Sequence, residues 1–189
     1  MLPYLPLTII AIVYFVRIAE VNRKRATVAG KVRENLTLRL FLLIGTVMTL
    51  GSIAEFIIIN RWTYSYYALG AGVLCAIISF KLRWAAIAAL GKFWSLHVEI
   101  RENHEFVQSG PFRFMRHPTY FSMVLELASF GLICSAWWML LIIPIVFLPA
   151  LMLRLRLEEP ALVEKFGDTY REYQRRVPML IPYKWPSAK

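Results

Sequence analysis

Cysteine is scarce in this chain. Only Cys75 and Cys134 occur in 189 residues, and both lie inside apolar runs. That count and placement exclude a disulfide framework or a cysteine-built zinc site, and no metal is expected. Two buried small hydrophobes are expected instead. Four signatures are also missing. There is no glycine-rich dinucleotide fingerprint, no phosphate loop, no HExxH pair and no nucleophile elbow. A soluble cofactor, if bound, is held without a Rossmann-type turn. Linker-like Gly/Ser/Pro stretches, internal repeats and low-complexity tracts are absent too, so one domain over residues 1–189 is expected.

What the chain has in excess is apolar surface. Hydrophobic residues make up 58%, against about 45–50% in soluble domains, and mean hydropathy is +0.53. The excess is gathered into long runs, and a helix needs about 20 mostly apolar residues to cross a bilayer. The pattern predicts an all-α polytopic membrane protein with five transmembrane helices, at about 2–18, 40–59, 66–90, 119–134 and 137–153. The first has no basic residues before it and no small-residue cleavage site after it, so an anchored helix is expected rather than a signal peptide. Only Ser135 and Ala136 separate the fourth run from Trp137 and Trp138, the pattern of a tight helical hairpin with aromatic residues at an interface.

Acids number 12 against 22 bases, for a formal net charge of +10. In a soluble protein such a balance points to nucleic acid. Here topology accounts for it, and no nucleic-acid partner is expected. Arg23, Lys24, Arg25, Lys31, Arg33 and Arg39 lie between the first two runs. Lys92, Arg101, Arg113 and Arg116 lie between the third and fourth, and a third group follows the fifth. The other side has only Arg61. The positive-inside rule then puts the N-terminus outside and the C-terminus in the cytoplasm.

The polar residues are thus collected in two cytoplasmic segments, a connector at 91–118 and a C-terminal segment at 154–189. In the connector, "RHP" (Arg116, His117, Pro118) stands where the fourth helix begins. Proline is favourable at a first helical position, and helix N-termini attract anions, so Arg116 and His117 are placed to bind a carboxylate or phosphate. After the fifth run, Arg154 and Glu158 are four apart and share a helix face, and Arg156 and Glu159 are three apart and are expected to meet. Charges inside the spans are functional candidates by default. Lys81 and Arg83 lie in the inner half of the third helix, and Glu55 near the outer end of the second. Glu126 falls about two turns into the fourth helix, roughly 10 Å deep, and needs a partner. Lys81 and Arg83 are the nearest bases.

Two stretches, "HEFVQSGPFRFMRHPTY" and "RLRLEEPALVEKFGDTYREYQRRVP", occur in that order. Together they resemble the connector and C-terminal signature of the isoprenylcysteine carboxyl methyltransferase family, and "EI" at Glu99–Ile100 is also similar. The resemblance covers Lys81 to Pro182. It implies an integral membrane, S-adenosylmethionine-dependent enzyme whose connector and tail enclose the cofactor on the cytoplasmic side, with a lipophilic small-molecule or lipidated acceptor entering from the membrane. It implies cofactor contacts from Ile100, His104, Glu105, Phe106, Val107, Phe112, Arg116, His117, Pro118, Thr119, Tyr120 and Glu158. Phe112 stands where the family usually has tyrosine. Arg154 is implied to hold the acceptor's polar head. Glu126 stands where relatives have aromatic or apolar residues, and it is a second catalytic candidate, because a phenol or amine acceptor can use a base and Glu126 or His117 could serve as one. The competing readings are a phospholipid N-methyltransferase, a nicotinamide-dependent membrane reductase and a non-enzymatic membrane scaffold.

Overall fold

The computed structural model describes residues 2–22, 31–32, 36–91, 99–100 and 107–183. Among them the chain is helical: α1 (Leu5–Asn22), α2 (Leu36–Ala54, continued by a π-turn over Glu55–Ile59), α3 (Tyr66–Leu90), α4 (Pro118–Ile133), α5 (Trp137–Ile142), α6 (Leu148–Phe166) and α7 (Asp168–Arg176). A π-turn over Ile143–Phe147 joins α5 to α6, making one rod from Trp137 to Phe166. One short antiparallel ladder departs from the all-α expectation. It pairs β1 (Lys31–Val32) with β2 (Glu99–Ile100), Lys31 opposite Ile100.

Among the described residues, three helices are long and apolar enough to cross a membrane: Arg39–Ile59, Tyr66–Leu90 and Trp137–Phe166. The Pro118–Ile133 helix is apolar but shorter. Burial is inverted relative to a soluble bundle. Large apolar side chains such as Leu43, Leu50, Ile58 and Ile145 point outward, while Arg83, Arg154, Glu20, Glu126 and Glu159 are buried inside. This is what lipid as the outer solvent selects, since apolar surface needs no cover there and charges must answer one another.

The core is built around Phe41, Phe56, Tyr120, Phe130, Ile133, Phe147, Leu151 and Leu155. Phe41 of α2 meets the Phe147 ring at 4.6 Å and the Tyr120 ring at 6.1 Å. Helix α3 lies directly along α4, and Gly72 permits the approach. A Cβ at Gly72 would stand 2.8 Å from the Ile133 backbone nitrogen and 2.9 Å from the Ser129 carbonyl. Backbone cannot yield as a flexible side chain does, so Gly72→Ala is expected to destabilise the fold by about 1–3 kcal/mol. Thermal unfolding in detergent tests this; an unchanged midpoint would mean that the two helices do not pack so closely.

At the opposite end of the bundle, Glu55 is buried and caps the last helical rod. Its carboxylate accepts the N–H groups of Trp138 at 3.1 Å and Met139 at 3.0 Å, which the first turn of a helix otherwise leaves unpaired. The Asn60 side chain donates to the Ser135 carbonyl at 3.0 Å. These contacts close the tight α4–α5 turn.

Helix α6 runs past Leu153, where the apolar run ends, to Phe166. Its polar half stays helical because Arg154, Leu155, Glu159 and Ala161 are buried against the bundle, so the charges on that side have partners. Pro160 removes one helical N–H, and the helix passes through it on its exposed side. Gly167 ends α6 at φ 59°, a backbone angle that side chains with a Cβ seldom adopt. The chain then turns into α7, which buries Tyr170 and Tyr173.

Candidate functional site

The site grows from the N-terminus of α4. Pro118 occupies the first helical position and His117 precedes it in non-helical conformation, φ −126° and ψ 63°. That places His117 and Tyr120 one turn apart, with ring centroids 5.8 Å from each other. Both look toward the polar half of α6.

The first group is centred on Tyr120. Its hydroxyl donates to Glu158 Oε2 at 2.6 Å and accepts from Arg154 Nε at 2.7 Å. The Arg154 guanidinium also lies 5.8 Å from the centre of the Tyr120 ring. Arg154 and Glu158, expected to share a face, are thus bridged through a phenol on another helix. Arg154 is 1% exposed, whereas Glu158 is only partly buried. His117 Nδ1 lies 3.9 Å from the other Glu158 oxygen, Oε1.

The second group is centred on Glu159. Arg116 reaches it with two nitrogens, Nε to Oε1 at 2.9 Å and Nη2 to Oε2 at 3.1 Å. His117 Nε2 is 2.7 Å from Oε1. The Tyr170 hydroxyl donates to Oε1 at 3.0 Å, and Gln174 Nε2 donates to Oε2. The same Arg116 donates from Nη1 to the carbonyls of Gln174 at 2.9 Å and Val177 at 2.8 Å. Backbone bonds continue the attachment, Arg116 N to Pro178 O at 2.9 Å and His117 N to Met179 O at 3.0 Å. Tyr173 donates its hydroxyl to the Phe112 carbonyl at 2.6 Å. Burial, then the neighbouring Glu159 carboxylate, pushes the Tyr170 hydroxyl far above its ordinary range. Burial pushes the Tyr173 hydroxyl up as well. Both phenols therefore act as neutral donors that pin α7 across the connector.

The structure brings together Phe112, Arg116, His117, Pro118, Tyr120, Arg154 and Glu158 of the residues singled out in the sequence. Thr119 and Val107 are half-buried, and the Thr119 carbonyl accepts from Ser122 Oγ at 2.6 Å. Ile100 is described only as backbone, in β2. His104, Glu105 and Phe106 lie outside the described residues. Arg116 and His117, read as able to hold an external carboxylate or phosphate, instead hold the protein's own Glu159. Glu159 is also the residue that spacing mispaired: Arg156 is exposed, and the partners of Glu159 come from the two residues just before α4 and from α7.

Glu126 is not part of this site. Six residues along α4 place it about 9 Å deeper than Tyr120 and about 120° around the helix. It pairs with Arg83 Nη2. Arg83 also donates to Ser79 Oγ at 2.9 Å, to Ser122 Oγ at 3.1 Å and to Glu20 Oε2 at 3.5 Å. Arg17 joins Glu20 Oε2 at 3.0 Å. This balanced quartet of two arginines and two glutamates ties α1, α3 and α4 together. Of the two bases expected near Glu126, Arg83 is the partner and Lys81 is exposed.

The sequence model of the isoprenylcysteine carboxyl methyltransferase family matches residues 72–164, a segment that holds Arg116, His117, Tyr120, Arg154, Glu158 and Glu159. The chain belongs to this family over that segment. Among relatives, it is 30% identical over 125 residues to a protein-S-isoprenylcysteine O-methyltransferase of Schizosaccharomyces pombe, covering 65% of this chain and 52% of that one. It is 26% identical over 140 residues to protein-S-isoprenylcysteine O-methyltransferase B of Arabidopsis thaliana, covering 72% and 71%. It is 29% identical over 73 residues to methanethiol S-methyltransferase 1 of Bradyrhizobium diazoefficiens, covering 39% and 25%. The chain thus spans about half of the yeast relative and a quarter of the bacterial one. Family membership and the apolar helices together make it an integral membrane protein.

Proposed function

We propose that this protein is an S-adenosylmethionine-dependent methyltransferase acting on a lipophilic acceptor held in the membrane. The observation that carries the reading is the Tyr120–Arg154–Glu158 group with His117 beside it, at the polar end of the bundle and inside the segment shared with the family. The residues fit a zwitterionic cofactor end. Glu158 is partly exposed and has Oε1 directed to the His117 side, a suitable partner for a cation. Arg154 faces the same phenol and is suited to the acceptor's polar head. In this reading Ile100, His104, Glu105, Phe106, Val107, Phe112 and Thr119 complete the cofactor enclosure.

The bound cofactor supplies an electrophilic methyl group on a sulfonium. The chain supplies position. Tyr120 links Arg154 to Glu158, so the groups proposed to hold acceptor and cofactor are registered through one hydroxyl, and placement of this kind can supply much of a displacement's rate. Glu126 has no part in the step and serves to hold the bundle together. Two relatives are named for S-isoprenylcysteine in protein and one for methanethiol; the shared feature is a methyl acceptor with an apolar body, and that class is the one assigned here.

Calorimetry on purified protein with S-adenosylhomocysteine against NADPH tests the assignment. Adenosylhomocysteine is expected to bind, NADPH is not, and Glu158→Ala is expected to weaken binding at least tenfold, about 1.4 kcal/mol. Binding of NADPH alone would replace this reading with the reductase.

We further infer five spans, with α1 and α4 added to the three long helices and the site on the cytoplasmic side. At 1.5 Å per residue α1 and α4 reach about 27 and 24 Å, against a core of about 30 Å, so local thinning or flanking residues close the gap. Single cysteines at Val28, Thr63 and Tyr183, in a chain lacking Cys75 and Cys134, report on this. Cytoplasmic labelling is expected at 28 and 183 and outside labelling at 63. Labelling of 63 from the cytoplasm alone would break the five-span topology.

A further inference from the structure

The apolar bands on the outside of the bundle differ in height. On the α5–α6 rod, exposed large apolar side chains run from Trp137 to Leu157, about 30 Å at 1.5 Å per residue. On α2 they run from Leu40 to Ile59, about 29 Å. On α3 the aliphatic band ends at Ile78. Beyond it the outward positions are Lys81, Trp84, Ala85 and Ala88, so from Tyr67 the band is only about 17 Å tall. On α1 it runs from Tyr4 to Ile18, about 21 Å. The helix ends away from the site are pinned together. The Tyr4 ring meets Trp62 at 5.4 Å, the Tyr64 hydroxyl donates to the Leu2 carbonyl at 3.3 Å, and Ser65 N donates to Ser135 Oγ at 2.9 Å. The shortfall in apolar height therefore falls at the site end.

Contacts at the site end give a similar offset by a separate route. Ser79 Oγ bonds the Ser122 carbonyl at 2.7 Å and Arg83 Nε bonds Ser122 Oγ at 3.1 Å, so Lys81, between them, is level with Ser122. Tyr120 is two residues nearer the site end, its hydroxyl holds Arg154 Nε at 2.7 Å, and the exposed Leu157 lies three residues beyond Arg154. The apolar face of α6 thus rises about 8 Å above Lys81. Lys81 is exposed and has no hydrogen-bonding or charged partner among the described residues. A lysine stem can reach toward headgroups. Trp84 and the alanines after it, however, offer acyl chains no aliphatic face, and tryptophan favours the membrane interface. A short apolar face is met by thinning of the bilayer, and an ammonium is a point donor for phosphate. We propose that the leaflet at the site end is drawn in by about 8 Å along α1 and α3, with Lys81 on a phospholipid phosphate at its edge, and keeps its full height along α2 and α6. The Tyr120–Arg154 group then stands level with headgroups on one flank and beneath them on the other. The α1 limb rests on the five-span reading above; the α3 limb does not.

Nitroxide labels on single cysteines, in a chain lacking Cys75 and Cys134 and reconstituted into phosphatidylcholine vesicles, report depth by their relaxation with oxygen against a water-soluble nickel chelate. Ala85 and Leu157 stand at nearly equal heights above the pinned ends, about 29 Å from Tyr66 and about 30 Å from Trp137. In a flat bilayer the two labels read the same depth. The expected result is a label at 85 in the headgroup or aqueous layer and a label at 157 about 6 Å deeper. Equal depths overturn the proposal. At the other end, labels at Tyr67 and Trp138 are expected to match; a difference between them would mean a tilted bundle in a flat bilayer, which also overturns it. Lys81→Gln keeps a polar side chain without the charge. It is expected to lower the nickel-chelate accessibility of the label at 85 by at least about twofold, because the headgroup that the charge held is released. Unchanged accessibility overturns the phosphate contact. Because α3 is one of the long apolar helices, failure of the five-span topology leaves this comparison intact.

Discussion

Replacing Arg83 by leucine is expected to destabilise the bundle by about 3–5 kcal/mol, the usual range for stripping one partner from a buried ion pair. Arg83 is 2% exposed and serves two carboxylates, Glu126 and Glu20, which are themselves buried. Nε holds Ser122, Nη2 holds Ser79 as well as Glu126, and Ser79 in turn donates to the Ser122 carbonyl at 2.7 Å. Among the described residues, Arg83→Leu leaves Glu126 with no paired cation and Glu20 with Arg17 alone. The double variant Arg83→Leu, Glu126→Leu removes the stranded charge together with its partner, and most of the loss is expected to return, because a buried pair replaced by well-packed apolar residues is often neutral. Unfolding midpoints in detergent, compared across the two single variants and the double, measure the coupling. A single Arg83→Leu variant within about 1 kcal/mol of the parent would show that the quartet does not hold the helices, and Glu126 would again be open to a role in transfer.

That test also bears on what can be read without coordinates. The depth of Glu126 and its need for a cation follow from hydropathy and helix rise alone. The identity of the third member does not. Glu20 sits near the end of α1, more than 60 residues from Arg83, and nothing in its local sequence announces a shared guanidinium. Local signals worked where one residue's own chemistry fixes the backbone. Pro118 marks the start of α4 because a missing N–H is harmless there.

Spacing rules failed where tertiary packing supplied the partner. The i, i+3 rule joined Glu159 to Arg156, yet the geometry around Pro118 delivers Arg116 and His117 to the buried side of α6, and Arg156 is left outside. The same packing explains why α6 stays helical beyond Leu153. An apolar run was the only criterion available to the sequence, and polar residues with partners on α4 and α7 do not register in it. Arg154 and Glu158 were visible as a pair on one face. The hydroxyl that joins them comes from Tyr120, 34 residues before Arg154, and only the fold brings it there.

That hydroxyl is the most exacting test of the site. Tyr120→Phe removes one oxygen and keeps the ring, which packs on Phe41 at 6.1 Å and beside His117 at 5.8 Å. The fold is therefore expected to survive with little change in its unfolding midpoint. The chemistry is not. Without the oxygen, Arg154 Nε loses an acceptor at 2.7 Å and Glu158 Oε2 loses a donor at 2.6 Å. Hydrogen bonds to charged groups contribute about 1.5–3 kcal/mol each, and both of these fix groups proposed to touch the two substrates. If half of that orientation is lost in the transition state, the barrier rises by about 1.5–3 kcal/mol and turnover falls by roughly ten- to a hundredfold. The pattern of the loss is diagnostic. A phenol that registers cofactor against acceptor is needed most at the transition state, so kcat is expected to fall more than the affinity for adenosylhomocysteine. Methyl transfer from radiolabelled S-adenosylmethionine to a detergent-dispersed lipophilic thiol or carboxylate, with and without the substitution, gives the rates, and calorimetry gives the affinity. Activity within about threefold of the parent would mean that Arg154 and Glu158 find their positions without Tyr120, and that the bridge seen between them is structural only.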